Sequence, residues 1–186
     1  MALDKALALY FQSLHGTLEQ VNQCDILKIV DMVSHCYQNN GTIYVFGNGG
    51  SGATASHFCG DLLRIVPNLK DRLKAVCLND NIPAMMAVAN DIAYEEIFKE
   101  LLINFLQEND LVLALTGSGN SQNILNALHY AKQKNVKSIV CCGFDGGKAK
   151  KLADHVFHVP IHDMEIVEDI HMMTMHAIKR LLINSL

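Results

Sequence analysis

His57 and Asp61 stand four residues apart in a stretch that reads as helix, so their side chains leave one face and can meet a common partner. A second supply of ligand groups lies near the end of the chain, at Glu165, Glu168, His171 and His176. Glu168 and His176 are eight residues apart, which at about 100° per residue separates them by about 80° around a helix. Both can therefore serve one site. Imidazoles and carboxylates drawn from two helices are competent for zinc when a water or substrate completes its sphere. The same residues have a plainer reading, because helix histidines are usually surface or satisfied core groups. His171 in particular would then only face a neighbouring element.

Two glycine-rich segments offer a different chemistry. Gly47-Asn48-Gly49-Gly50-Ser51-Gly52 and Thr116-Gly117-Ser118-Gly119-Asn120-Ser121 each follow a short apolar run and precede a helical stretch. Free N–H groups at a helix start, together with the helix dipole, favour an anion there. The first segment is not a P-loop, since no Gly-Lys-Ser/Thr follows. Its Gly-x-Gly opening resembles a dinucleotide fingerprint, but Asn79-Asp80, the nearest acidic candidate, lies too far on. Alone, it is as compatible with a tight turn as with a binding loop. The second segment packs three hydroxyls and an amide into six residues, which suits the terminal oxygens of a phosphate monoester. Polar turn residues without a ligand are the alternative.

These groups need a scaffold, and the periodicity supplies one. Residues 42–46, 110–115 and 137–142 are nearly all apolar and rich in β-formers, as strands buried on both faces read. Residues 73–78 and 155–159 read as shorter strands. Helical segments are expected over 2–22, 24–39, from near Ala53, around 82–88, over 93–107, to about Lys134, and over 163–185. Such alternation predicts an α/β fold, a doubly wound parallel sheet with helices on both faces and an N-terminal helical extension. No linker or repeat divides the chain, so residues 1–186 are expected to form one domain. Leu3, Leu7, Tyr10, Phe11 and Leu14 make one apolar face, and Ile170, Met173, Ala177 and Leu181 another. Each packs either against a second subunit or into the intramolecular core.

Bulk properties exclude several classes. Of 186 residues, 50% are hydrophobic and 18% charged, too apolar for disorder, and the net charge of -4 gives no attraction to nucleic acid or an anionic membrane. No apolar stretch reaches the eighteen residues or so of a membrane span, and the start lacks the pattern of a secretion signal. The six cysteines follow no framework spacing and read as buried thiols of a reducing compartment. In the run Lys137–Cys142, Cys141 and Cys142 should point to opposite faces of a strand. A cytoplasmic protein is expected.

The pairing of Phe46-Gly47-Asn48-Gly49-Gly50-Ser51 with Thr116-Gly117-Ser118-Gly119-Asn120-Ser121 resembles the SIS (sugar isomerase) domain, a three-layer, flavodoxin-like fold. Their spacing, Asn90-Asp91 and Asp145-Gly146-Gly147 are similar to its phosphoheptose isomerase branch, over nearly the whole chain. The resemblance implies conversion of sedoheptulose 7-phosphate to D-glycero-D-manno-heptose 7-phosphate, a homotetramer, and zinc. It implies that Asn48, Gly49, Gly50, Ser51, Asn90, Asp91, Thr116, Gly117, Ser118, Asn120, Ser121 and Glu168 contact the sugar phosphate. It assigns acid–base catalysis to Asp61 and His176, and metal ligation to His57, Asp61, Glu168 and His176.

Three departures accompany it. Asp61 stands where the family has glutamate, one methylene shorter. Glu168 replaces a glutamine and adds negative charge, and Gly117 replaces a hydroxyl-bearing residue, thinning the contacts to substrate. Two other readings follow from the same resemblance. One is a non-catalytic SIS tetramer that acts as a scaffold with the replication initiator; that branch lacks an acid at position 61 and the final-helix histidine, both of which this chain keeps. The other is an isomerase or sensor for a different phosphosugar.

Overall fold

The computed structural model describes residues 3–64 and 72–186. Five parallel strands, β1 (Thr42–Gly47), β2 (Lys74–Cys77), β3 (Leu111–Thr116), β4 (Lys137–Cys142) and β5 (His155–His158), form a sheet in the order β2-β1-β3-β4-β5. The apolar runs occupy the centre, and every residue of β3 is buried. β2 alternates exposed and buried residues, as the sheet edge requires. β1 and β3 are neighbours with Gly47 opposite Leu115, so the two glycine segments leave the sheet at nearly one level. The chain winds outward from this pair in both directions, which makes their shared end the topological switch point.

Among the described residues seven helices, α1 (Leu3–Leu18), α2 (Gln23–Gln38), α3 (Gly49–Leu63), α4 (Ile82–Asp91), α5 (Ile97–Phe105), α6 (Gln122–Gln133) and α7 (Met164–Ser185), complete the three layers. One face of the sheet (Ile43, Val45, Leu113, Leu115, Cys141) is covered by α2, α3 and α7 through residues such as Val33, Phe58 and Ile170. The other face (Tyr44, Phe46, Val112, Ala114, Cys142) is covered by α5 and α6 through Phe98, Leu102, Ile124 and Leu128. Cys141 and Cys142 thus lie on opposite faces, as a strand dictates. All six cysteines are free thiols; five are buried, whereas Cys24 is exposed in the first turn of α2, outside the apolar setting expected of it.

The two apolar outer faces fare differently. In α7, Ile170, Ile178 and Leu182 are fully buried, so this helix is core rather than an addition, although Met173 is exposed. In α1, Leu3, Leu7 and Phe11 are exposed, while Tyr10 and Leu14 pack on the core. Tyr10 ties α1 down by donating to Asp169 Oδ2 at 2.5 Å. Ala2 of the expected first segment lies outside the described residues. The expected helix over 93–107 is divided into a 3-10 turn, Tyr94–Glu96, and α5. No helix among the described residues is long and apolar enough to cross a membrane.

Candidate functional site

The first glycine segment is not a loop before a helix. Helix α3 already starts at Gly49, ahead of the expected start near Ala53, and only Asn48 intervenes after β1. Asn48 is the N-cap by position, yet its side chain makes no cap bond. It faces sideways into a reciprocal amide pair, donating to Asn123 Oδ1 and accepting from Asn123 Nδ2, each at 2.9 Å. The Tyr94 hydroxyl also donates to Asn48 Oδ1 at 3.1 Å. Asn123 is 1% exposed and sits in the first turn of α6. The first glycine turn is therefore tied to the start of α6, the helix that follows the second, through this amide pair. Asn79 closes the strand end below them, accepting from Gly47 N–H at 3.2 Å and donating to the Gly47 carbonyl at 2.8 Å.

The second segment is held by its own polar groups. Thr116 is buried, and its Oγ1 accepts from Gly119 N–H at 3.2 Å. Its hydroxyl is a turn fastener. Gly119 takes φ +68°, a conformation that favours glycine. Asn120 bridges to the next connection, its Oδ1 accepting from Lys148 N–H at 3.1 Å. Ser118 is half-buried, with Oγ accepting from Asn120 N–H at 3.3 Å. Ser121 is the N-cap residue of α6 but makes no side-chain cap bond. Ser51 is buried in the first turn of α3. A Cβ at Gly117 would overlap Met164, lying 2.8 Å from its Cε. The space of the missing hydroxyl side chain is thus filled by Met164 rather than left open. Asn90 and Asp91 stand exposed at the end of α4, where Asn90 Nδ2 donates to Asp91 Oδ1 at 2.8 Å.

Helices α3 and α7 bring the histidines together from opposite parts of the chain. His57 Nε2 and His176 Nε2 are 3.0 Å apart, with the rings edge to face. Asp61 Oδ2 lies 3.7 Å from His57 Nε2 and 3.9 Å from His176 Nε2. One potential ligand atom from each of the three residues falls within 4.8 Å of the others. The histidine side chains are about half exposed, whereas Asp61 is only 15% exposed and its Oδ2 is a buried acceptor with no hydrogen-bond partner among the described residues. An orphaned buried carboxylate oxygen facing two imidazole nitrogens fits a divalent metal by donor type and spacing. The shorter aspartate still reaches both rings.

Glu168 is not in that group. Its carboxylate rests against the start of α3, where a Cβ on Gly50 would lie 2.6 Å from Glu168 Cδ. An acid is favourable at that positive helix end. His171 is removed from the site altogether: it is 1% exposed, against Phe157, and neither ring nitrogen has a hydrogen-bond partner among the described residues. Burial lowers its pKa to about 4, offset only in part by the nearby Cys142 backbone, whose approach does not amount to a hydrogen bond. Glu165 is exposed in the first turn of α7. One residue the sequence did not single out joins the cluster: Lys179 Nζ donates to Asp61 Oδ1.

A doubly wound sheet with two glycine turns at its switch point defines the SIS-domain class, and the SIS domain family matches residues 9–143. A phosphoheptose isomerase of Helicobacter pylori is 34% identical over 90% of this chain and 84% of its own length. The solved structure of a phosphoheptose isomerase from Neisseria gonorrhoeae superposes with TM-score 0.92 at 25% identity, covering 100% of both chains. One from Francisella tularensis gives TM-score 0.92 at 26% identity over 98% of each chain. The chain belongs to the phosphoheptose isomerase family of SIS-domain proteins.

Proposed function

We propose that this protein is an aldose–ketose isomerase that interconverts sedoheptulose 7-phosphate and D-glycero-D-manno-heptose 7-phosphate. The observation that carries the reading is the convergence of His57, Asp61 and His176 between α3 and α7, the helix after the first glycine turn and the last helix. Such an isomerisation moves one proton between C1 and C2 through an enediol and another between the two oxygens. Asp61, whose Oδ2 points at the imidazoles and has no hydrogen-bond partner among the described residues, is assigned as the carbon base, a role that oxygen fills only while it is free of the metal. His176, half exposed on the opposite helix, exchanges the oxygen-bound proton. Ser118 and Ser121, with the N–H groups at the start of α6, hold the phosphate, and Ser51 adds a donor from α3. Asn48 and Thr116 are assigned to fixing the two turns, because their polar atoms are already committed there.

Zinc is the metal assigned to His57, Asp61 and His176; when bound it polarises the carbonyl and stabilises the developing enediolate charge. The exposed Leu3, Leu7 and Phe11 of α1 support burial against further copies of the chain, a homotetramer working in the cytoplasm. The test is incubation of purified, metal-analysed protein with sedoheptulose 7-phosphate, followed by NMR. Turnover lost on chelation and in Asp61→Asn upholds the reading. Neither turnover nor a thermal shift with this sugar removes it.

A further inference from the structure

We propose that Lys179 is a positioning residue that shares Asp61 with the metal and so sets how tightly the His57–Asp61–His176 cluster holds a divalent cation; this rests on the metal reading above. Lys179 follows His176 by three residues on α7, so both side chains leave the helix on one side and meet Asp61 together. The carboxylate is divided between them. Oδ1 takes the Lys179 ammonium, and Oδ2 faces His57 and His176.

The division has two consequences. The ammonium fixes the rotation of the carboxylate, which presents Oδ2 to the imidazoles. It also neutralises most of a charge that is only 15% exposed. A dication taking Oδ2 must then share one negative charge with an ammonium on the other oxygen. The two effects of Lys179 on metal affinity oppose each other. Repulsion dominates, because Asp61 is also held by its own burial at 15% exposure and needs the ammonium less for its orientation than the dication suffers from its charge. Lys179 therefore weakens metal binding while keeping the ligand oriented.

Zinc affinity is measured by competition with a chromophoric chelator at fixed pH and ionic strength, for the full-length wild type, Lys179→Met, Lys179→Arg, Asp61→Asn and the double variant Asp61→Asn/Lys179→Met. Circular dichroism verifies that each is folded. Lys179→Met is expected to bind zinc about tenfold more tightly, about 1.4 kcal/mol. Lys179→Arg should remain within about threefold of wild type, because it keeps the charge. The gain should vanish in the Asp61→Asn background, since the coupling runs through that carboxylate. Cobalt(II) absorption spectra should match between wild type and Lys179→Met, reporting one ligand set. Unchanged or weaker zinc binding by Lys179→Met, with wild type binding zinc, overturns the proposal and leaves the metal site standing. Zinc taken up by neither protein overturns the metal reading and this proposal with it, while the sugar turnover assay judges the isomerase reading separately.

Discussion

His57 and His176, 119 residues apart in sequence, bring their Nε2 atoms to 3.0 Å across the packed helices α3 and α7. At that distance one ring can hydrogen-bond to the other, or both can turn their lone pairs to a cation. The buried Oδ2 of Asp61 completes the second arrangement. Asp61→Asn keeps the shape but loses the basic oxygen, and His176→Ala removes the proton carrier. Each is expected to lower kcat by at least about a hundredfold, the scale of general acid–base catalysis, with the fold intact by circular dichroism. Substantial turnover in either variant removes that residue from the mechanism.

Thr116 and Ser118 look equivalent as hydroxyls two residues apart, and the structure separates them. Each oxygen accepts from a turn N–H, but the Thr116 bond to Gly119 is buried, whereas the Ser118 bond to Asn120 is exposed, so water can replace it and the Ser118 hydroxyl can reach a ligand. Ser118→Ala should weaken sugar-phosphate binding about tenfold through one lost charge-assisted bond, with little change in melting temperature. Thr116→Val should instead lower stability by about 1–2 kcal/mol, because it orphans a buried N–H. Calorimetric titration and denaturant unfolding of both variants check the contrast; the reverse pattern would exchange the two roles.

The strands were legible because β1, β3 and β4 are buried on both faces, and an apolar run of six residues has few other uses in a chain of this composition. The two glycine turns were legible for the same reason: each had to fall at a strand end. What stayed hidden depends on register between distant elements. Lys179 carries no local signal, since its meaning comes from how α7 lies against α3. The Asn48–Asn123 pair and the Asn79 clamp on Gly47 likewise join residues 75 and 32 positions apart. The family resemblance makes Glu168 a metal ligand and its angle to His176 allows that, but helical phase says nothing about depth, and its carboxylate lies against Gly50. Gly117 read as a lost contact because the sequence could not show Met164 filling its place.

His171 gives the chain an acid-sensitive core. Folded, it is neutral, with its pKa lowered from 6.5 to about 4 by burial. Unfolded, it takes up a proton near its ordinary value. The stability it allows is full above about pH 6.5 and is lost as the pH falls from there toward 4, by about 2 kcal/mol at pH 5. Other groups titrate in the same window, so the informative quantity is a difference. His171→Leu, which also removes two buried nitrogens, should lose less stability than wild type between pH 7 and pH 5. Urea unfolding at the two pH values measures this, and parallel losses in both proteins would show that His171 does not carry the effect.

Gly50 and Glu168 make a last test of how the site's rim is built. Gly50 lies in the first turn of a helix without a positive φ, so alanine there is tolerated by the backbone itself. The obstacle is the Glu168 carboxylate, whose Cδ would sit 2.6 Å from the new methyl group. Because that carboxylate ends a flexible side chain, Gly50→Ala should move it rather than unfold the protein, with a stability change within about 1 kcal/mol. The displaced acid then leaves the positive end of α3 and becomes free to approach the histidines. Zinc affinity should therefore rise in Gly50→Ala and return to the wild-type value in Gly50→Ala/Glu168→Gln. If Gly50→Ala leaves zinc affinity unchanged, the displaced Glu168 does not reach the metal. If the double variant binds zinc as tightly as Gly50→Ala, the gain has another origin, and the position of Glu168 at the helix start is not what keeps it from the cluster.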